Sequence, residues 1–124
     1  MPDTLFAGHR VLVAEDEYFL ADELNGALQA SGAAVIGPVA SVEDALAFLD
    51  AGIKPDAAVL DMNLGGEPAS PIADVLLARN VPFLFTTGYD QASLPQRYAT
   101  IVRLEKPVEL RVVLRELGRL LSPA

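Results

Sequence analysis

The chain contains no cysteine and a single histidine among its 124 residues. The lack of cysteine excludes a disulfide framework, a thiolate metal site and a cysteine nucleophile. The histidine, His9, precedes the first predicted strand and so lies far from the carboxyl ends of the strands. We therefore expect it to be structural or exposed.

Basic residues and long apolar runs are also scarce. The chain has 9 Lys and Arg against 17 Asp and Glu, a formal charge of −8, and because phosphate backbones repel such a chain we expect no nucleic-acid partner. No apolar run approaches the roughly 18 residues that suggest a membrane helix, and residues 1–6 lack the basic start of a signal peptide. We expect a cytoplasmic protein of one domain with no membrane partner.

Short apolar runs alternate with longer segments of helical period. The runs predict strands and the periodic segments predict helices. The predicted strands cover residues 10–14, 34–36, 56–60, 81–86 and 100–104. Predicted helices cover 17–31, a segment with an N-cap at Ser41, a segment from an N-cap at Ser70 to Asn80, and 108–121. Residues 88–98 have only a weak helical pattern.

This alternation predicts an α/β fold, with a parallel sheet covered by helices on both faces. Because crossovers are right-handed, few topologies remain. Five strands suit a flavodoxin-like doubly wound (βα)5 fold with strand order 2-1-3-4-5. Ligands of such sheets bind beyond the carboxyl ends of the strands, where the strand order reverses, so the residues that follow each strand are the candidates for a site.

Acidic residues follow the first and third predicted strands: Glu15, Asp16 and Glu17, and then Asp61. Two carboxylates about 5 Å apart repel each other by roughly 3 kcal/mol at an effective dielectric near 20. Such a cluster takes up a proton or binds a cation. Mg²⁺ suits it, because this ion takes oxygen ligands and keeps several waters.

Hydroxyl and ammonium groups follow the other two strands, with Thr86 and Thr87 after the fourth and Lys106 after the fifth. Asp61 suits a phosphoryl nucleophile, since aspartyl phosphates are established covalent intermediates. Lys106 would neutralise one phosphoryl oxygen, and one of the threonine hydroxyls would donate to another. Only Lys54 and Lys106 among the 9 basic residues are lysines, which favours a specific role for the compact ammonium group.

The sequences VLVAEDE (11–17), VLD (59–61), TG (87–88) and KP (106–107) occur in the order and spacing of a known family. They resemble the receiver domains of bacterial response regulators in two-component systems, over a single domain spanning residues 1–124. The resemblance implies that Asp61 is the phosphoacceptor, that Thr87 is the switch hydroxyl and that Lys106 binds the phosphoryl group. It also implies that Asp16, Asp61 and the backbone carbonyl of Asn63 bind Mg²⁺ directly, while Glu15 acts through water.

The implied donor is a histidine kinase or phosphotransferase protein, and the implied output is contact with a downstream protein partner. A receiver catalyses its own phosphorylation and slow dephosphorylation rather than a reaction on an external substrate. Two positions depart from the family pattern: Asn63 stands where a Pro is usual, and Arg103 stands where an aromatic residue is usual. The run Phe85-Thr86-Thr87-Gly88-Tyr89 resembles the FAT GUY subgroup of single-domain receivers, which implies that Tyr89 couples the site to the output surface.

The sequence leaves several alternative functions open. A flavodoxin-like cofactor binder needs a phosphate loop where this chain has Glu15-Asp16-Glu17, and an aspartate phosphatase needs an acid where this chain has Asn63. A pseudo-receiver acting only as a binding module would keep the fold without the chemistry. Arg111, Arg115 and Arg119 recur every four residues on the last helix and form either a solvated face or a partner or homodimer surface.

Overall fold

The computed structural model describes residues 5–88 and 94–122. Four α-helices and seven strands are found there, with a short 3-10 helix at Gln96–Tyr98. The strands are β1 (Arg10–Ala14), β2 (Ala34–Val39), β3 (Ala57–Asp61), β4 (Asn63–Leu64), β5 (Glu67–Pro68), β6 (Phe83–Thr87) and β7 (Arg103–Glu105). The helices are α1 (Tyr18–Ala30), α2 (Val42–Asp50), α3 (Ser70–Ala78) and α4 (Leu110–Leu121).

The main sheet has five parallel strands in the order β2-β1-β3-β6-β7. Counted along these strands alone, the order is 2-1-3-4-5, so the predicted flavodoxin-like α/β fold is confirmed. The strand order reverses between β1 and β3. β4 and β5 form a separate antiparallel hairpin directly after β3.

Both faces of the sheet are buried, which explains the continuous apolar runs in the sequence. All five residues of β3 and all five of β6 are buried. One core cluster joins the sheet to α2 and α3, and the other joins it to α1 and α4. Residues at the carboxyl ends of β3 and β6 are therefore held by buried, rigid strands. In the two described segments, no helix has the length and apolar character to cross a membrane.

The predicted helix starts were partly correct. Ser41 caps α2 as predicted, its Oγ accepting a hydrogen bond from the N–H of Asp44 at 3.0 Å. The N-cap predicted at Ser70 was wrong, because α3 begins at Ser70 itself and Ala69 stands at the cap without a side-chain bond. The N–H of Ala69 donates to the carbonyl of Met62 at 2.9 Å, so the β4–β5 hairpin fixes where the chain enters the helix.

Other element boundaries also differ from the prediction. β2 continues to Val39 through an irregularity at Gly37 and Pro38. β7 is shorter than the predicted strand 100–104 and begins only at Arg103, because a turn and a bend occupy residues 99–101 after the 3-10 helix. The last helix begins at Leu110 rather than Val108, because the N-cap residue Glu109 has an extended backbone.

Candidate functional site

The carboxyl ends of four parallel strands bring the predicted site residues together. Glu15 and Asp16 follow β1, and Asp61 is the last residue of β3. Asp61 pairs in register with Thr86, and Thr87 pairs with Glu105, one residue before Lys106. The N–H of Lys106 donates to the carbonyl of Thr87 at 2.8 Å, which fixes the start of the lysine side chain at the edge of the site.

Lys106 is the centre of the charge arrangement. Its Nζ donates to Oδ2 of Asp61 at 2.9 Å and to Oε2 of Glu15 at 3.0 Å. A third bond of 3.0 Å reaches Oε2 of Glu17. The Glu15 side chain is fully buried and that of Asp61 is 6% exposed, so this ammonium compensates charge that water reaches poorly.

The pKa values in the site are shifted by burial and by these contacts. Burial raises the pKa of Glu15 from 4.5 to about 7, against the lowering effect of bonds from the Glu17 N–H and from Lys106. Burial works against the ammonium form of Lys106, but its bonds to Asp61, Glu15 and Glu17 raise the pKa of that side chain overall. Burial also opposes the charged form of Asp16, yet the Gly65 N–H and Asp61 keep the pKa of Asp16 below its usual value.

Glu15, Asp16 and Asp61 form an acidic cluster that could hold a metal ion. Each offers a carboxylate oxygen, and these oxygens lie within 4.8 Å of one another. A donor set made only of oxygen atoms suits a hard divalent cation such as Mg²⁺. The residues present therefore fit the ion that the sequence predicts.

The loop after Asp61 is ordered by hydrogen bonds to the acids. The N–H of Asn63 donates to Oδ1 of Asp61 at 3.1 Å, and the N–H of Gly65 donates to Oδ2 of Asp16 at 2.8 Å. The Asn63 side-chain oxygen accepts from the N–H of Gly66 at 2.9 Å. Gly65 and Gly66 both have positive φ, as a tight hairpin turn requires. The adjacent glycines were the signal in the sequence that could have predicted this hairpin.

The two threonine hydroxyls make different contacts. Oγ1 of Thr86, which is fully buried, donates to Oε1 of Glu15 at 3.4 Å. Oγ1 of Thr87 donates to the carbonyl of Gly88 at 2.9 Å. The Thr86 hydroxyl thus contacts an acid of the site, whereas the Thr87 hydroxyl contacts the backbone. The choice of Thr87 as the switch hydroxyl stays a prediction.

Other sequence candidates lie around or away from this site. Tyr89 is outside the described residues. Arg103 is exposed on β7, and Arg111, Arg115 and Arg119 are all exposed on α4. His9 is half-buried beside Asp56, with Nδ1 and Oδ2 3.8 Å apart, at the end of the sheet where β1 begins.

Sequence reasoning missed three residues near the site. Glu17 was read as part of the acidic run, but no role was assigned to it. Tyr18 and Phe19, which begin α1, are 75% and 80% exposed and pack edge to face on each other. The apolar pattern of the predicted helix 17–31 gave no sign that both side chains would face solvent.

A second cluster fixes the segment that precedes β7. The Tyr98 hydroxyl donates to Oδ1 of Asp74 on α3 at 2.6 Å, and Nε of Arg97 donates to the same oxygen at 2.8 Å. The Tyr98 ring is buried and packs edge to face on Phe85 with the ring centroids 5.5 Å apart. The weak helical pattern of residues 88–98 gave no indication of this anchor.

Comparison with known proteins gives three informative similarities, and no protein-family model matches the chain. The solution structure of SdrG from Sphingomonas melonis Fr1 is 34% identical, with a TM-score of 0.70 over 92% of this chain and 97% of that one. A response regulator receiver protein from Burkholderia phymatum has a TM-score of 0.78 at 23% identity, over 94% of this chain and 97% of that one.

The third similarity is to a curated protein, the sensory transduction protein LytT of Bacillus anthracis. It is 38% identical over 88 residues, which are 68% of this chain and 35% of LytT. The match thus spans about a third of that relative's length.

Proposed function

This chain belongs to the receiver domains of two-component response regulators, and from that membership we propose that Asp61 is its phosphoacceptor. Receiver domains act as phosphoacceptors in two-component signalling. The observation that supports Asp61 best is its contact with Lys106, 2.9 Å away, beside two further acids at the carboxyl end of the sheet. The donor would be a histidine kinase or a phosphotransferase protein in a phosphorelay.

The reaction needs a carboxylate nucleophile and groups that stabilise charge. An oxygen of Asp61 forms a bond to phosphorus while the bond from phosphorus to the donor atom breaks, and the donor leaves with the electron pair. Lys106 moves one of its N–H groups to a phosphoryl oxygen. Thr87 does the same once its hydroxyl turns away from the Gly88 carbonyl. Slow self-dephosphorylation would be transfer of the phosphoryl group from Asp61 to a water molecule in the same site.

Asp16, Asp61 and the backbone carbonyl of Asn63 would hold Mg²⁺, with Glu15 acting through water. The ion would supply positive charge to the phosphoryl oxygens during transfer. The Gly65 N–H keeps Asp16 oriented at the mouth of the site. The Asn63 and Gly66 contacts hold the loop that carries the proposed carbonyl ligand.

Two rival activities fit the residues less well. Glu15, Asp16 and Glu17 would repel the phosphate of a flavin where a flavodoxin-like cofactor binder needs a phosphate loop. Asn63 has an amide side chain, which cannot act as the acid of an aspartate phosphatase. Its side-chain oxygen instead accepts a hydrogen bond from the Gly66 N–H. A pseudo-receiver that only binds a partner is the remaining alternative.

Output would pass through the segment between β6 and β7 to a downstream protein partner. The run 85–89 resembles the FAT GUY subgroup, and we propose that Tyr89 takes over the coupling that an aromatic residue at the position of Arg103 usually provides. A Tyr89→Ala variant would then be phosphorylated normally but fail to change its backbone NMR spectrum around Tyr98. A normal spectral change in that variant would refute the role of Tyr89. The exposed arginines of α4 would form the partner or homodimer surface.

The decisive experiment is intact-mass measurement after incubation with acetyl phosphate, with and without Mg²⁺. We expect the wild type to gain one phosphoryl group only when Mg²⁺ is present, and Asp61→Asn to gain none. Asp50→Asn, at the exposed end of α2, is the matched control and should behave as the wild type. No gain by the wild type together with no Mg²⁺ binding in a calorimetric titration would establish the pseudo-receiver instead.

A further inference from the structure

Glu17 contacts the proposed phosphate-binding lysine from the solvent side. Its Oε2 accepts from Nζ of Lys106 at 3.0 Å, and its side chain is 61% exposed. An ammonium group has three N–H donors. All three donate here to carboxylates, those of Glu15, Glu17 and Asp61. None is therefore free to donate to a phosphoryl oxygen.

One of these bonds must break when a phosphoryl group arrives at Asp61. Glu15 is the costly partner to release, because its side chain is buried and also accepts from the N–H of Glu17 at 3.0 Å. Glu17 is the partner that water can solvate at little cost, as for any exposed ion pair. Of the two glutamates, Glu17 is therefore the one that Lys106 exchanges more readily for the phosphoryl group.

Glu17 has two opposing effects on that exchange. Its bond could help to align Lys106, but Glu15 and Asp61 already orient the ammonium from the buried side. Its charge adds to that of Glu15, Asp16 and Asp61, where an anionic donor must approach. Because Glu15 and Asp61 already align Lys106, loss of the Glu17 charge should matter more than loss of the Glu17 bond.

We propose that Glu17 is a positioning residue that slows phosphoryl entry, because it engages Lys106 and adds negative charge where the donor approaches. This inference rests on the proposed phosphoacceptor role of Asp61. With acetyl phosphate, the Asp61 oxygen bonds to phosphorus, the bond between phosphorus and the acetyl oxygen breaks, and acetate leaves with the electron pair. Glu17 takes no covalent part in this step.

The test is the initial rate of phosphorylation by acetyl phosphate in the presence of Mg²⁺, followed by intact mass. Glu17→Gln keeps the length and an acceptor oxygen but removes the charge. We expect its rate at low ionic strength to be about threefold to tenfold higher than that of the wild type, the effect of one nearby charge in a solvated site. The ratio of the two rates should fall towards one near 1 M salt, where the Debye length is about 3 Å.

Two further variants separate the charge of Glu17 from other effects. Glu23→Gln removes a charge from an exposed residue of α1 that lines the same surface groove as Glu17 and Lys106. Within residues 5–88 and 94–122, Glu23 forms no ion pair, so its variant should phosphorylate nearly as the wild type does. Glu17→Asp keeps the charge and should restore the slow rate.

The outcomes separate a failure of the proposed function from a failure of this inference alone. If the wild type gains no phosphoryl group, or gains one that survives Asp61→Asn, the proposed function fails and this inference fails with it. If labelling requires Asp61 but Glu17→Gln matches Glu23→Gln, or keeps its excess rate near 1 M salt, only the inference is overturned. Unchanged thermal unfolding of the Glu17 variants excludes a fold defect as the cause of any difference.

Discussion

Nζ of Lys106 lies 2.9 Å from Oδ2 of Asp61, although 45 positions separate the two residues in the chain. The contact arises because β3 and β7 run parallel on either side of β6, so that their carboxyl ends meet at one edge. Both side chains are largely buried. A buried charge that loses its partner is left uncompensated, which makes this pair sensitive to substitution.

Replacing Lys106 should impair phosphoryl transfer far more than replacing the other lysine. Lys106→Gln removes the charged donor to the phosphoryl group, and we expect phosphorylation by acetyl phosphate to slow about a hundredfold, the usual effect of losing one such donor. Lys54 is exposed in the loop before β3, so Lys54→Gln is the matched control. Equal rates for the two variants, measured by intact mass, would contradict a role for Lys106 in transfer.

Replacing Asp16 should weaken Mg²⁺ binding. Asp16→Asn removes one of the three clustered carboxylates and weakens the bond from the Gly65 N–H that orients the side chain. We expect the dissociation constant for Mg²⁺, measured by calorimetry, to rise by at least about tenfold to a hundredfold. Loss of a residue that only supports a metal ligand already lowers metal affinity by about that much. Asp22→Asn, an exposed acid on α1 outside the cluster, should bind Mg²⁺ almost as the wild type does.

The order of the main sheet could be predicted because its strands have clear sequence signals. β1 and β3 are continuous apolar runs, as strands buried on both faces require. Ser41 with Asp44 marked the start of α2 correctly. Ser70 misled the prediction, because a serine before a proline has the same local pattern whether it caps the helix or begins it. The hydrogen bond from Ala69 to Met62 that decides between these cases joins residues outside the helix.

The sequence was sufficient to predict which strand ends carry the residues of the site. A parallel sheet brings the residues that follow its strands to one edge, so Glu15, Asp61 and Lys106 had to lie near one another. The sequence could not predict that Lys106 also bonds to Glu17, because that contact depends on the conformations of two long side chains. The Tyr98 anchor was equally hidden, since its partner Asp74 lies on a different helix, 24 positions away.

The Asp74 cluster should make stability depend on pH in the acid range. Bonds from Arg97 and the Tyr98 hydroxyl lower the pKa of Asp74 below 3.8. A carboxyl with a lowered folded-state pKa stabilises the fold above its unfolded pKa and loses that effect as the pH falls through the folded value. Asp74→Asn should therefore reduce the free energy of unfolding by about 1 kcal/mol at pH 7, because half-exposed pairs contribute little more.

As the pH falls below about 4, the difference between Asp74→Asn and the wild type should shrink, because the carboxyl of the unfolded chain takes up a proton first and that of the folded chain follows at a lower pH. Tyr98→Phe removes only the hydroxyl and should cost about 1 kcal/mol at pH 7 while keeping the stacking on Phe85. Urea unfolding at pH 7 and pH 3 measures both effects. A difference for Asp74→Asn that stays constant between these pH values would show that the carboxylate charge does not stabilise the cluster.

Two glycines should respond in opposite directions to the same substitution. Gly37 has φ +96°, and a Cβ there would lie 2.7 Å from the backbone nitrogen of Val39 and 3.0 Å from the carbonyl oxygen of Val13. Gly37→Ala should cost about 1–3 kcal/mol, since both backbone strain and a steric clash oppose it. Gly26 lies within α1, and a Cβ there would meet nothing within 4 Å, so Gly26→Ala should stabilise the fold by about 0.5–1 kcal/mol. Urea unfolding measures both changes, and a neutral Gly37→Ala would mean that the end of β2 can relax away from β1.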